Sequence, residues 1–208
     1  MPIISIQNIS SDIILGIWKI TETKNDFINM LGNHLIDPSK PTNPAENVGL
    51  HWYASRVLLQ NLFDAHKIEI HKNEANKPTL FIDNEKYYIS ISHSYEYVGI
   101  MFSRTHEVGL DIEKIDERIN RVSRKFLNEN EQIFADSKLS KTLIWSAKES
   151  VYKWYGKKEL DFKEHMQAYP FTAADKGIFK FKLSKNEFEK EINIHYYLID
   201  NYVITYCY

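Results

Sequence analysis

A chain of 208 residues that is 43% hydrophobic, with 26 Lys and Arg against 28 Asp and Glu for a formal net charge of −2, can bury a core without disulfides or structural metals. Its one cysteine, Cys207, excludes disulfide frameworks, thiolate zinc sites and Cys-x-x-Cys redox centres, and fits a reducing compartment. The balanced charge argues against a nucleic-acid binder, the apolar runs Ile13–Trp18 and Tyr97–Phe102 are far short of the ~18 residues that a spanning helix needs, and Met1-Pro2-Ile3-Ile4 lacks the form of a secretory signal. A cytoplasmic protein is the expectation.

In chain order, Ile3–Ile20 is rich in β-branched residues and reads as a buried strand, followed by a helix near Lys24–Leu35. Pro38, Pro41 and Pro44 make Asp37–Pro44 a loop. Asn43, Pro44 and Glu46 then form a helix-start signal with capping-box spacing, and Val48, Trp52, Ser55, Leu59 and Leu62 mark one face of a helix to about Phe63. Arg56 is placed on the face opposite Trp52 and Leu59. Short strands are expected at Ile68–His71, Thr79–Ile82 and Tyr87–Ile91, then an aromatic strand at Tyr97–Ser103. The second half repeats the pattern, with a strand at Val108–Ile112, helices near Asn120–Phe134 and Lys141–Tyr155, and strands at Ile178–Leu183, Ile192–Leu198 and Tyr202–Cys207. Each half ends in an aromatic strand, which hints at two similar subdomains, divided as 1–105 and 106–208 with a ligand cleft between them.

The chemistry must come from side chains. None of the seven glycines forms a G-x-G pair, so neither a dinucleotide fingerprint nor a P-loop can be written, and His-Glu-x-x-His and Gly-x-Ser-x-Gly are both missing. Asp111-Ile112-Glu113 puts two carboxylates on one face at a strand end, a donor set suited to Mg²⁺, although acid-x-acid arises by chance about four times in such a chain. In the stretch Trp145 to Lys153, the residues Trp145, Glu149 and Lys153 share a stripe apart from the apolar face of Ile144, Ala147, Val151 and Trp154. Glu149 and Lys153 are then either a surface ion pair or a third metal carboxylate beside a cation for phosphate. Ser92-His93-Ser94 offers donors at a loop, and Lys77-Pro78 places a cation at a rigid turn. Taken singly, each has an ordinary structural explanation.

Their order is more specific. Lys-Pro, Ser-His-Ser, Gly-Leu-Asp-Ile-Glu and Trp-x-x-Lys-Glu-x-x-x-Lys, at these spacings, resemble the surfactin-type 4'-phosphopantetheinyl transferase superfamily over about half the chain. The resemblance implies an α+β fold in which two similar subdomains form a pseudo-dimer with the active site at their interface. It also implies transfer of phosphopantetheine from coenzyme A to a serine of an apo acyl or peptidyl carrier protein, with a monomer sufficing. By that resemblance Asp111, Glu113 and Glu149 match the Mg²⁺ ligands, while Lys148 and Lys153 match lysines near the pyrophosphate. Ser92 and His93 match contacts to coenzyme A phosphates, with Arg56 and Lys77 as weaker matches. Glu131, in Phe126-Leu127-Asn128-Glu129-Asn130-Glu131, matches a glutamate proposed as general base, a role that Glu149 or a bound water could also fill. One departure is Gly156-Lys157-Lys158-Glu159-Leu160, where Lys158 stands in place of the second glycine of Gly-Lys-Gly-Leu, which leaves Lys157 a minor candidate. A non-catalytic coenzyme A- or carrier-binding member, or an unrelated Mg²⁺-dependent phosphodiesterase, are the competing readings.

Overall fold

A computed structural model describes residues 3–31, 46–63 and 68–208, arranged as two compact units, Met1–Val108 and Gly109–Tyr208. The proline loop over 37–44, the Asn43-Pro44 helix start and the end of the first predicted helix lie outside the described residues.

In the first unit, the segment read as one strand over Ile3–Ile20 is a hairpin, β1 (Ile3–Asn8) and β2 (Ile13–Lys19). The polar run between them, with Ser10 and Asp12 sharing a hydrogen bond, turns the chain back. Helices α1 (Lys24–Leu31) and α2 (Glu46–Leu62) follow, then a meander of β3 (Ile68–Lys72), β4 (Pro78–Ile82), β5 (Glu85–Ser94) and β6 (Tyr97–Ser103). The sheet order is β1-β2-β6-β5-β4-β3, antiparallel throughout, and α2 packs over β2 and β6 on a core that includes Trp18, Phe27, Leu58 and Ile100.

The second unit begins with β7 (Gly109–Lys114) and continues through α3 (Arg118–Val122), a short 3₁₀ turn, α4 (Glu129–Phe134) and α5 (Lys138–Tyr155). Strands β8 (Met166–Ala168), β9 (Lys176–Lys185), β10 (Phe188–Ile199) and β11 (Tyr202–Cys207) complete it, in the antiparallel order β7-β11-β10-β9-β8. Leaving out the extra edge strand β1, the two units share one topology: a strand, helices, then a four-stranded meander whose last strand returns beside the strand that precedes the helices, β6 beside β2 and β11 beside β7. The two aromatic strands noted in the sequence, β6 and β11, hold the same place in each.

The continuous helix expected near Asn120–Phe134 is broken. Asn128 adopts an extended backbone and caps α4, its side chain accepting from the Glu131 amide at 2.9 Å while Glu131 Oε2 accepts from the Asn128 amide at 2.9 Å. That reciprocal capping box starts α4 afresh, after α3 has stopped at Val122 and the 3₁₀ turn at Lys125. Helix α5 starts on a second box, Ser137 with Ser140, and stops at Gly156, whose φ of 63° is the left-handed conformation that glycine adopts at least cost.

Helix α5 lies across β7 and β11, and a glycine sets how closely. A Cβ added at Gly109 would fall 2.0 Å from the Ser150 carbonyl oxygen and 2.8 Å from Trp154 Cβ. The nearest atoms are the Ser150 carbonyl and a Cβ fixed to the helix backbone, which no rotamer change can move aside. Gly109→Ala is expected to destabilise the protein by about 3 kcal/mol or more, the upper range of an overpacked core, read as a lowered urea midpoint at unchanged slope.

Candidate active site

The close seating of α5 on β7 brings the acidic and basic residues of both elements together. On β7, Asp111 and Glu113 project from the face that α5 covers. Ser146 Oγ donates to Asp111 Oδ2 at 2.9 Å, and Lys153 Nζ donates to Asp111 Oδ1 at 2.7 Å. Trp145 Nε1 donates to Glu113 Oε1 at 2.9 Å. The surface-pair reading of Glu149 and Lys153 is therefore incomplete, because the lysine reaches across to a strand carboxylate that is almost fully buried.

The three carboxylates feel one another. Burial, then repulsion from Asp111, raises the Glu113 pKa to about 7 against the relief of the Trp145 hydrogen bond. Burial and Asp111 also raise Glu149 to about 7, opposed by Lys153. Among the described residues no three His, Cys, Asp or Glu side chains converge closely enough to hold a metal ion. The donor set still suits a hard divalent cation, since hard oxygen ligands and crowded negative charge are what such an ion neutralises. Beside Glu113 a cavity of about 480 Å³ has an apolar wall of Ile119, Val122, Phe126, Trp145 and Phe162 and a rim carrying Lys114, Arg118 and Lys125.

Lys148 and Glu131, matched in sequence to a phosphate contact and a general base, are fully buried and bonded to each other, Lys148 Nζ to Glu131 Oε2 at 2.7 Å. The same ammonium also lies 2.7 Å from Phe126 O, 2.6 Å from Phe162 O and 3.2 Å from Met166 O, so its three protons have four acceptors. Burial lowers the Lys148 pKa below the usual lysine range, with Glu131 opposing the shift. The second Glu131 oxygen accepts from the Ala168 amide at 2.8 Å. The pair staples α4, α5 and β8 and fixes Phe126 and Phe162, two walls of the cavity.

In the first unit, Ser92-His93-Ser94 is the end of β5 and not a loop, because His93 and Ser94 pair with Val98 and Tyr97 of β6. Ser92 is buried and His93 exposed. The His93 ring stacks on His51, centroids 4.4 Å apart and planes 13° from parallel. Arg56 is on the same side of α2 as Trp52, not the opposite one: residues i and i+4 share a helix face, and its guanidinium sits 4.7 Å from the indole centroid. Arg56 Nη1 also donates to Ser55 Oγ at 2.8 Å. His51, Trp52, Ser55, Arg56 and His93, with Pro78, line a cavity of about 400 Å³ that Ser92 and Ser94 do not line. Lys77, next to Pro78, pairs with Glu107. Lys157 lies 5.5 Å from the Tyr155 ring centroid, and Lys185 Nζ donates to the Glu159 carbonyl at 2.6 Å, holding the loop that lacks the second glycine.

His51 escaped sequence reasoning because nothing local marks a ring that stacks on a strand 42 positions away in number. Ser146 and Thr205 escaped it as well, although the Ser146–Ser150 spacing of one helical turn was a usable signal.

Helix α5 thus sets a lysine and a tryptophan on the paired carboxylates of β7. Residues 107–207 match the model of the 4'-phosphopantetheinyl transferase superfamily, so this stretch of the chain is similar to that superfamily. A 4'-phosphopantetheinyl transferase gsp from Aneurinibacillus migulanus is 39% identical over 92 residues, which are 41% of this chain and 37% of the relative. The chain thus matches well under half of that relative's length.

Two outcomes are expected. Lys148→Ala should cost about 3–5 kcal/mol in denaturant unfolding by stranding a buried carboxylate, and adding Glu131→Ala should recover part of that loss. Glu113 and Glu149 bind protons more tightly folded than unfolded between pH 4.5 and about 7, so their contribution to stability is fully present below that window and is lost as pH rises through it. Glu149→Gln should therefore gain in Tm relative to the native chain from pH 5 to pH 8, measured by scanning calorimetry.

Proposed function

We propose that the protein transfers 4'-phosphopantetheine from coenzyme A to a serine hydroxyl of an apo acyl or peptidyl carrier protein, releasing adenosine 3',5'-bisphosphate. The observation that carries this reading is that Glu113 and Glu149 both feel the charge of Asp111, which Lys153 of α5 meets at 2.7 Å, within the stretch that matches the superfamily. The serine oxygen forms a bond to the β-phosphorus of coenzyme A as the bond from that phosphorus to the bridging oxygen breaks, and the bisphosphate leaves with the electron pair.

Asp111, Glu113 and Glu149 would hold Mg²⁺, which when bound stabilises negative charge growing on the pyrophosphate oxygens. Lys153 adds a fixed positive charge at the same place. Arg56, Lys77, Ser92 and His93 receive the phosphates of coenzyme A, and His51, stacked on His93, steadies that ring. The pantetheine arm carries a gem-dimethyl group and methylene runs between its amides, apolar pieces in keeping with the Phe126, Trp145 and Phe162 wall. The burial of Glu131 and Lys148 supports a structural role for both, so the serine proton passes to Glu149 or to water. The similar strand orders of the units are in keeping with a pseudo-dimer, and the proposed working form is a monomer in the cytoplasm.

Incubation with coenzyme A, Mg²⁺ and a panel of apo carrier proteins should add one phosphopantetheine to at least one carrier, read as intact mass. Glu149→Gln should lower kcat by about 10²-fold or more, the scale of losing a group that stabilises transition-state charge, and His93→Ala should chiefly raise KM for coenzyme A. A panel that a known transferase modifies and this protein leaves untouched would reject the enzyme in favour of a binding member of the family.

A further inference from the structure

Behind Asp111 runs a set of buried hydroxyls. Thr205 of β11 is the direct cross-strand partner of Asp111 on β7, so the two side chains stand side by side on the face that α5 covers. From α5, Ser146 and Ser150 reach down at a spacing of one turn. Ser146 Oγ lies 2.9 Å from Asp111 Oδ2 and 2.8 Å from Thr205 Oγ1. Ser150 Oγ lies 2.7 Å from Thr205 Oγ1 and 3.0 Å from the Thr205 carbonyl oxygen. All three hydroxyl residues are essentially inaccessible to solvent.

Counting protons gives the chain a direction. An ionised carboxylate only accepts, so the single proton of Ser146 goes to Asp111. The Ser146–Thr205 contact then needs the Thr205 proton. With that proton committed, Ser150 must be the donor in its contact with Thr205, sharing its proton between the hydroxyl and the carbonyl. The order is Ser150 to Thr205 to Ser146 to Asp111, each O–H dipole aligned toward the carboxylate. The close approach allowed by Gly109 puts the Ser150 backbone against β7 and so brings these short side chains within reach of the strand.

We propose that Ser146 and Thr205 are positioning residues for Asp111. They anchor Oδ2 in the interior and thereby fix the carboxylate with Oδ1 turned toward the Lys153 side, the oxygen it offers to a cation. Groups that orient a metal carboxylate in this way are worth about 10–100-fold in metal affinity. This inference rests on the metal role of Asp111 in the function proposed above.

The test is titration calorimetry of Mn²⁺ into the full chain, with Tm and transfer kinetics followed in parallel. Ser146→Ala and Thr205→Val should each weaken Mn²⁺ binding about ten-fold, whereas Thr205→Ser, which keeps the hydroxyl, should bind within about two-fold of the native chain. A role in packing alone would lower Tm in Thr205→Ser, which loses the methyl, more than in Thr205→Val, which keeps the shape, and would leave Mn²⁺ affinity in place in both. Unchanged affinity in Ser146→Ala and Thr205→Val would overturn the positioning role while the metal site stands. Mn²⁺ binding that is absent from the native chain, or equally strong in Asp111→Asn, would instead overturn the metal role of Asp111, and this inference with it.

Discussion

The contact between the backbone of α5 and β7 at Gly109 is the constraint on which the second unit depends. With no Cβ at Gly109, the helix comes near enough for serine-length side chains to reach a strand carboxylate and for Lys153 to meet Asp111. A helix held farther off would place water or longer side chains in that gap, and the charges would be solvated separately. Close packing is what converts three acids and a lysine, ordinary surface residues by type, into a coupled electrostatic group.

That arrangement carries an energetic cost. Burying Glu113 and Glu149 beside Asp111 raises both toward neutrality, which opposes their ionisation in the folded chain. A separate charge arrangement, the Lys148–Glu131 pair, has its charges matched and hydrogen-bonded at nearly every position. That pair is satisfied and ties α4, α5 and β8 together, whereas the carboxylates beside Asp111 repel one another. Adjacent residues of one helix, Lys148 and Glu149, serve these opposite purposes because they point to different sides of α5.

Much of the fold was legible from periodicity. The strands of both meanders fall where β-branched and aromatic runs stand, except β8, whose Met-Gln-Ala carries neither and was not expected from the sequence, and α5 follows its apolar stripe. The misreadings have local causes. Asn128 and Glu131 carried a capping-box signal inside a run that otherwise looked helical, and Ser10 to Asp12 carried a turn signal inside a β-rich run. Ser92-His93-Ser94 looked like a loop because it is polar, yet its backbone pairs with β6, and strand pairing is satisfied by main-chain atoms whatever the side chains. Arg56 was misplaced by ignoring that positions four apart share a helix face.

By itself the sequence determined which residue types are present, their local periodicity, and a motif order similar to that of the superfamily whose model the C-terminal stretch matches. Tertiary structure alone decided what each polar atom does. The bonds of Ser146 to Asp111 and to Thr205 join residues 35 and 59 positions apart, and the Lys148–Glu131 bond joins residues 17 apart. The identity of a lysine or glutamate says what protons it has. Its burial and partners, set by how strands and helices pack, say whether those protons and charges are spent inside the protein or kept for a substrate.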